Sequence, residues 1–368
     1  MTDVAAIAEG LTRIEARGPC TDAERRAANL LHDELRAAGY EAWVETHWVR
    51  PQWALSLALH ATVGVVASVA ALTAPLPALI AAAIAALSMA IEATGRVGPL
   101  RLLFPRRATQ NVITVPEEGA VTLLICARYD ASHGGLATRD GARRVAARLR
   151  RRLRGQGLGP RAWVAIGLAL IAVCAGLRLL DLEGTWLGVL QFVPTVALLG
   201  ALAAAGDIAV SPILAGGESA PAVAVALYEE LRRNPPAALS PALLLYGAGE
   251  SGPQALRAQL RSDRPDRARI VVLALGPCGA GRPAFAAAHP QLRAAATRAA
   301  GAVAPLRSTS GAGAARARRL PALWVGALDG DGIAPSEPLD PAAAEATLDF
   351  ALACVDALDA ELDATRLH

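Results

Sequence analysis

The chain has 368 residues, which is enough for one large domain or two ordinary ones. Hydrophobic residues make up 54% of it and the mean hydropathy is +0.35, which excludes a disordered chain and indicates a few strongly apolar segments. The 36 basic residues, all arginine, nearly balance 33 acidic ones. Charge therefore gives no indication of nucleic-acid binding, and a chain without lysine has no Schiff-base or P-loop chemistry.

The five cysteines are widely spaced and form no C-x-x-C pair. This pattern argues against a disulfide framework or a zinc ribbon and favours a reducing compartment. Residues 1–18 contain no apolar core, so we expect no cleavable signal peptide.

Two predicted elements precede the first apolar segment. Thr21-Asp22-Ala23-Glu24 forms a capping box that predicts the start of a helix, and Glu41–Val49 has the composition of a strand. Trp53–Thr73 then runs uncharged for long enough to cross a hydrocarbon core, which needs about 20 residues. The turn Ala74–Pro77 leads into the uncharged stretch Ala78–Ile91, so residues 53–92 are predicted to form a transmembrane hairpin.

Strand patterns resume after this hairpin. Asn111–Val115 and Val121–Cys126 have strand composition, and Glu117-Glu118-Gly119 between them predicts a β-hairpin turn. The arginine-rich run Arg139–Arg161 predicts an amphipathic helix that lies on anionic lipid, with a solvated charged linker as the alternative.

A second pair of apolar segments follows. Ala162–Leu177 and Trp186–Ala205 are separated by Asp181–Gly184, so residues 162–205 are predicted to form a second transmembrane hairpin. Buried core helices are the alternative for both hairpins. Neither hairpin tip carries arginine, whereas the segments on the other side carry nearly all of it. The positive-inside rule therefore predicts an integral plasma-membrane protein with membrane lipid as a partner and a cytoplasmic soluble part.

The rest of the chain alternates between predicted strands and helices. The strands are Ala242–Tyr246, Ile270–Leu275 and Leu320–Val325, and the helices are Pro221–Arg233, Pro253–Leu260, Pro290–Val303 and Asp340–Leu362. This alternation predicts an α/β fold whose mostly parallel sheet has helices on both faces. Residues 1–52, 93–161 and 206–368 would form it.

In such a sheet, a site is expected at the carboxyl ends of the strands. The segments there include Arg128-Tyr129-Asp130, Gly216-Gly217-Glu218, Gly249-Glu250-Ser251-Gly252, Gly276 and Asp329–Gly332. The order of these segments resembles the M28 family of zinc aminopeptidases over roughly residues 1–52, 108–135 and 211–368. Asn111-Val112-Ile113 and Leu339-Asp340-Pro341 are also similar to that family.

The resemblance implies a zinc-aminopeptidase-like sheet in which five ligands hold two zinc ions and a glutamate acts as general base. Asp130, which would orient the first ligand, and the zinc ligand Glu250 are retained. Other ligand positions fall on Arg128, on Gly216 with Glu218 two residues further on, and on Gly276, while the general-base position falls on Gly249. No histidine stands near residues 329–336, where the last ligand would be.

A zinc site needs three or four N, S or O ligands, so these departures predict that the protein carries no metal cofactor. Arg128 would place a permanent cation where a ligand belongs. We therefore expect Arg128 to replace the metal by pairing with Glu250 and Asp130. The remaining alternatives are His133 as a displaced ligand or a loop histidine, Asp329-Gly330-Asp331-Gly332 as a cation loop or a turn, and Ser251, Cys126 and Cys278 as nucleophiles or structural residues.

The M28 resemblance extends to membrane-anchored members without peptidase activity, such as the nicastrin-like proteins. It implies a catalytically inactive, membrane-anchored protein that binds or scaffolds a protein or peptide in the former active-site cleft. One alternative is an active zinc aminopeptidase with rearranged ligands that depends on Glu250. Another is a transport or assembly subunit that acts through the hairpins, although His60 and Arg178 are the only ionisable residues predicted within the spans.

Overall fold

The computed structural model describes residues 3–115, 121–152, 159–182, 184–214, 216–262, 270–299, 302–304, 310–334 and 339–366. The helices in these ranges are α1 (Val4–Thr12), α2 (Asp22–Ala37), α3 (Trp53–Ala70), α4 (Pro75–Ala93), α5 (Asp140–Arg152), α6 (Pro160–Leu179), α7 (Thr185–Val210), α8 (Ser219–Arg233), α9 (Gln254–Ser262), α10 (Pro290–Arg298), α11 (Gly311–Arg316) and α12 (Pro341–Arg366). The strands are β1 (Ala42–Val49), β2 (Arg107–Thr114), β3 (Val121–Arg128), β4 (Leu239–Tyr246), β5 (Ile270–Leu275), β6 (Arg282–Ala287), β7 (Ala302–Val303) and β8 (Ala322–Leu328).

These strands form one sheet in the order β1-β2-β4-β3-β5-β8-β6-β7. Its centre, β4-β3-β5-β8, is parallel, whereas β1–β2, β2–β4 and β6–β8 pair antiparallel. The edge pair β6–β7 is also parallel, so the sheet is mixed, with four parallel and three antiparallel pairings. The antiparallel strand β6 escaped prediction because its sequence, Arg-Pro-Ala-Phe-Ala-Ala, is rich in alanine and contains proline, both poor strand formers.

The predicted hairpin between β2 and β3 is wrong. β4 lies between these two strands and pairs with both of them. β3 pairs in parallel with β4 and β5 along nearly its whole length, and this two-sided pairing gives an apolar strand more burial than a local hairpin would. The predicted turn falls on residues 116–120, outside the described residues.

Helices cover both faces of the sheet. Side chains of α1, α2, α8, α10 and α12 pack on one face, and those of α9 and α11 pack on the other. The predicted helix start is confirmed at α2, where the Thr21 hydroxyl accepts the Glu24 N–H at 3.1 Å, whereas the Glu24 side chain accepts from Cys20 N–H and not from Thr21 N–H. Helix α10 ends at Arg298, earlier than the predicted Val303, which belongs to β7.

Helices α3, α4, α6 and α7 pack against one another as a bundle beside the sheet. By length and composition, these four helices are apolar enough to cross a membrane. Helix α4 is longer than the uncharged stretch Ala78–Ile91 from which it was predicted. It begins at Pro75 and continues past Glu92. Glu92 therefore joins His60 and Arg178 as an ionisable residue of the bundle helices.

A buried polar network lies between α3 and α4. His60 contacts the Ser56 carbonyl at 2.6 Å and the Ser88 hydroxyl at 2.8 Å, and the Ser56 hydroxyl donates to Glu92 at 2.7 Å. The Arg101 guanidinium lies 3.5 Å from the other Glu92 oxygen. Since buried polar groups are costly without partners, this network explains how the helices tolerate polar residues.

Candidate functional site

The carboxyl ends of β3, β4 and β5 meet at one edge of the sheet. Arg128 is the last residue of β3 and Asp130 follows two residues later, while Gly249 and Glu250 lie in the 3-10 turn Gly249–Ser251 after β4. Gly276 follows β5 directly. The structure thus brings these predicted site residues together in one cleft.

Asp130 holds the turn after β4 in place. Its carboxylate is fully buried and accepts the N–H groups of Gly249 and Glu250, each at 2.8 Å. Burial raises the pKa of Asp130, although the Arg128 charge and the two N–H groups act in the opposite direction. Both carboxylate oxygens are engaged by the backbone, so Asp130 acts as a structural anchor.

Glu250 pairs with His133. One Glu250 oxygen accepts the His133 backbone N–H at 2.8 Å and the other lies 2.7 Å from His133 Nδ1. The Glu250 side chain is 7% exposed and that of His133 is 30% exposed. The hydrogen bond to Glu250 raises the pKa of His133, which strengthens the pair when the imidazole is protonated.

Arg128 has a different partner from the one expected. Its guanidinium donates to the Ser132 hydroxyl at 2.7 Å, and within the described residues it makes no hydrogen bond or ion pair with Glu250 or Asp130. The prediction that Arg128 takes the place of the metal by pairing with them is therefore wrong. His133 already occupies both Glu250 oxygens, and backbone N–H groups occupy those of Asp130.

The Arg128 side chain instead fills the space next to Gly249. A Cβ atom placed on Gly249 would lie 2.7 Å from Arg128 Cβ and 2.9 Å from its Cδ. These separations are too short for real atoms, so a side chain at position 249 requires Arg128 to move. The space for a Cβ atom at position 249 is bounded by Arg128 and by Asp130 Oδ1, 2.9 Å away.

Trp324 fills the space next to Gly276 in the same way. A Cβ atom on Gly276 would lie 2.6 Å from Cε2 and Nε1 of the Trp324 indole, and one on Gly326 would lie 2.8 Å from its Cζ2. Trp324 was not among the predicted site residues. The available signals were Gly326, two residues after Trp324, and Gly276, directly after the neighbouring strand β5. A large ring beside a strand needs small neighbours.

Arg17 was also missed, and it is the partner of Glu218. The guanidinium, 2% exposed, donates to the carbonyls of Tyr129 at 2.6 Å and Gly216 at 2.9 Å, and lies 3.4 Å from the Glu218 carboxylate. Gly217 has φ +80°, and a Cβ atom on it would lie 2.9 Å from the Asp130 carbonyl. Arg17 therefore holds Gly216 and Glu218 in place, and the close packing is at Gly217, since a Cβ atom on Gly216 would meet nothing within 4 Å.

Glu24 forms the back of the site. Its carboxylate is fully buried and accepts from the Cys20 N–H, the Thr109 hydroxyl and the Ala248 N–H. Burial and the nearby Asp130 raise the pKa of Glu24 to about 8. The capping box identified Glu24 as a helix-start residue. Its contact with the turn after β4 joins residues that are far apart in the chain, and a local sequence pattern does not predict such a contact.

The remaining alternatives resolve toward structural roles. Asp329 accepts the N–H groups of Asp331 and Ile333, which makes this segment a turn. The Ser251 hydroxyl is buried and donates to the Ala248 carbonyl. Burial raises the pKa of Cys126 to about 12 and also raises that of Cys278, as expected for core thiols.

The donors of the cleft do not fit a zinc ion. Asp130 and Glu250 have both oxygens bonded within the chain, and Glu218 faces Arg17. In the part of the chain that the structure describes, no group of three or more His, Cys, Asp or Glu side chains could hold a metal. A protein zinc site needs three or four such ligands.

Comparisons with solved structures show the fold. Porphyromonas gingivalis glutaminyl cyclase is similar with a TM-score of 0.53 and 10% identity, over 96% of each chain. A Zn-dependent exopeptidase from Parabacteroides distasonis has a TM-score of 0.52 and 10% identity, over 95% of this chain and 96% of its own. The fold is M28-like. Tannerella forsythia glutaminyl cyclase has a TM-score of 0.51 and 12% identity, over 96% of this chain and 97% of its own.

Comparisons of the sequence give no further assignment. No protein-family model matches the chain, and no curated protein matches it. At 10–12% sequence identity, the similarity to these solved structures shows the M28-like fold alone.

Proposed function

We propose that this chain is a membrane-anchored protein whose M28-like cleft binds or scaffolds a polypeptide and does not cleave it. The observation that carries the proposal is the filling of the cleft. The stem of Arg128 occupies the space beside Gly249, and the Trp324 indole occupies the space beside Gly276. The resemblance places the general base and a metal ligand at these two glycines, and a side chain at either position would require its neighbours to shift.

Electrostatics also supports a cleft without zinc. Arg128 keeps its positive charge at any physiological pH. At about 4 Å, two unit charges interact by roughly 4 kcal/mol at an effective dielectric constant of 20, and a dication doubles this figure. A zinc ion beside Arg128 would be opposed by that repulsion, and the Glu250 charge would have to leave His133 to compensate it.

The membrane anchor is part of the proposal because the bundle is fastened to the cleft. The Leu214 N–H donates to the Ser132 carbonyl at 2.9 Å, and the Gly134 N–H donates to the Pro212 carbonyl at 2.8 Å. Asp207 near the end of α7 accepts the Leu136 N–H. A cleft attached in this way to a membrane helix would lie at the cytoplasmic surface of the membrane, as the proposed membrane-anchored scaffold requires.

Zinc content and peptide hydrolysis test the proposal together. We expect the detergent-purified chain, exchanged into a mild chelator, to contain far less than one zinc ion per molecule by plasma mass spectrometry. We also expect no hydrolysis of aminoacyl-p-nitroanilide substrates, with or without added zinc. A metallopeptidase would instead retain zinc through the exchange, because structural and catalytic zinc binds tightly.

The variant Glu250→Gln separates the two functions, with the exposed Glu9→Gln as its matched control. Stoichiometric zinc together with hydrolysis that Glu250→Gln abolishes and Glu9→Gln preserves would refute the proposal in favour of the aminopeptidase alternative. Recovery of the chain in the soluble fraction after lysis would contradict the membrane anchor.

A further inference from the structure

A second concave region lies away from the cleft, at the base of the first hairpin. Its volume is about 700 Å³, and it is lined by Trp48 and Arg50 at the end of β1, by Gly95–Val97 after α4, by Arg106, and by parts of α9 and the segment after α11. Seven of the lining residues are arginines, and none of the described lining residues is acidic. We call this region the arginine cavity.

Arg257 is a buried arginine of this cavity. It is 9% exposed, its Nη2 donates to the Thr94 carbonyl at 2.9 Å, and its Nε is buried without a hydrogen-bond partner. Burial and then the charges of Arg96, Arg318 and Arg261 lower the pKa of Arg257 to about 10. A buried guanidinium with an unused N–H, surrounded by like charges, is unfavourable unless an anion accompanies it.

Arg50, another lining residue of the cavity, is likewise bound to a backbone carbonyl. Its Nε donates to the Phe104 carbonyl at 3.0 Å, and burial and the neighbouring Arg106 lower the pKa of Arg50. Arg50 and Arg257 are thus positioned by neutral carbonyls, which orient the guanidinium groups without cancelling their charge.

We propose that the arginine cavity binds a phosphate group. A phosphate offers several acceptor oxygens to converging guanidinium donors, whereas one arginine is enough to satisfy a carboxylate in a bidentate pair. The volume lies within the range of about 300–1,000 Å³ that is typical of small-molecule sites. It accommodates a phosphate ester or the headgroup of one phospholipid.

The position of the cavity favours a membrane phospholipid as the source of this phosphate. Gly95 lies two residues after the end of α4, and the 3-10 helix Pro99–Leu103, which packs on α3 and α4, exposes Leu102 and Leu103 at 55% and 74%. Trp48 at the rim is 67% exposed. Apolar and tryptophan side chains beside arginines are typical of the headgroup region. This choice of source rests on the proposed membrane anchor, while the phosphate site does not.

The test replaces two exposed arginines of the cavity, Arg261→Gln and Arg319→Gln together, and leaves the buried Arg257 in place. The matched control carries Arg36→Gln and Arg282→Gln, which are exposed elsewhere on the protein and change the net charge equally. Inorganic phosphate and glycerol 3-phosphate are titrated calorimetrically into the full chain in uncharged detergent. In parallel, native mass spectrometry counts phosphatidylglycerol retained after extraction from nanodiscs with and without that lipid.

We expect the cavity variant to bind the phosphate probes, or to retain phosphatidylglycerol, about tenfold or more weakly than the unchanged protein, because it lacks two guanidinium groups that would donate charge-assisted hydrogen bonds to the phosphate. The control should stay close to the unchanged protein. Retention of the lipid without binding of the soluble probes identifies a lipid headgroup, and the reverse identifies a free phosphate ester. Binding of neither, or an equal loss in both variants, overturns the proposal.

These outcomes can be distinguished from a failure of the proposed function. Phosphate binding by a chain that proves to be soluble or zinc-loaded would refute the membrane anchor or the inactive cleft and leave the arginine cavity standing. A single-stranded oligonucleotide that binds where both phosphate probes and the lipid fail would point to a nucleic-acid surface and count against the cavity.

Discussion

The sheet and the bundle distribute their apolar side chains in opposite ways. In the sheet, large residues such as Leu243 and Val325 are fully buried. In the bundle, the fully buried positions include small residues such as Ala82, while Ile84 and Phe192 are 50% and 67% exposed. Burial of large apolar groups from water stabilises the sheet. Small residues that let helices approach closely are typical of helix packing in lipid, which agrees with the membrane anchor that we propose.

Of the substitutions that test this difference between the sheet and the bundle, Ile84→Arg should have the largest effect. Ile84 lies in the middle of α4 and faces outward. An arginine at the centre of a membrane helix costs about 2.5–3.5 kcal/mol, whereas an exposed site in water tolerates it. We expect Ile84→Arg to reduce recovery of the chain in the membrane fraction. The control Val303→Arg, at a residue 74% exposed on β7, should not, and equal behaviour of the two would contradict a bundle that faces lipid.

Replacement of Gly64 by valine tests the close packing inside the bundle. A Cβ atom on Gly64 would lie 2.5 Å from Leu168 Cδ2 and 2.6 Å from Leu198 Cδ1, so Gly64→Val should destabilise the protein by about 1–3 kcal/mol through overpacking. Gly200 on α7 has no atom within 4 Å of the same construction. Thermal melting in detergent should therefore show a loss for Gly64→Val that is much larger than that for Gly200→Val. Similar losses for the two variants would contradict close packing at Gly64, since valine has a higher helix propensity than glycine.

The buried carboxylates behind the cleft predict that the stability of the protein depends on pH. The ordinary pKa of Glu24 is 4.5 and its folded value is about 8. Between these values the folded state holds a proton that the unfolded chain releases, so the free energy of unfolding falls as the pH rises. The slope is at most about 1.4 kcal/mol per pH unit. Glu24→Gln should weaken the dependence of the melting temperature on pH between pH 5 and 8, whereas the exposed Glu9→Gln should leave that dependence unchanged.

The smallest effect is expected where the arginine-rich helix α5 meets the sheet. Arg148 lies 3.1 Å from Asp331, with side-chain exposures of 64% and 23%. An exposed ion pair contributes about 0–1 kcal/mol and is screened by salt. Arg148→Gln should therefore lower the melting temperature slightly at low salt and not at high salt. A difference that persists at high salt would mean that α5 is held by contacts other than this ion pair.

The sequence predicted the local elements well and their pairing poorly. The strands β1, β3, β4, β5 and β8 and the four apolar helices were found close to their observed positions, because composition and periodicity act within one segment. The separation of β2 from β3 by β4 was not predicted, since it depends on which distant strand offers the better pairing surface. In the cleft, the sequence placed Arg128, Asp130 and Glu250 together and missed Arg17 and Trp324.

The sequence by itself determined the apolar spans, the alternation of strands and helices, and the loss of the ligand residues expected at the strand ends. These follow from residue types at known positions. Only the tertiary structure decided that Glu250 pairs with His133, 117 residues away in the chain, and that arginines from five separate segments line one cavity. Ion pairs and cavities depend on distances in space, and a chain that folds back on itself makes those distances independent of separation in the sequence.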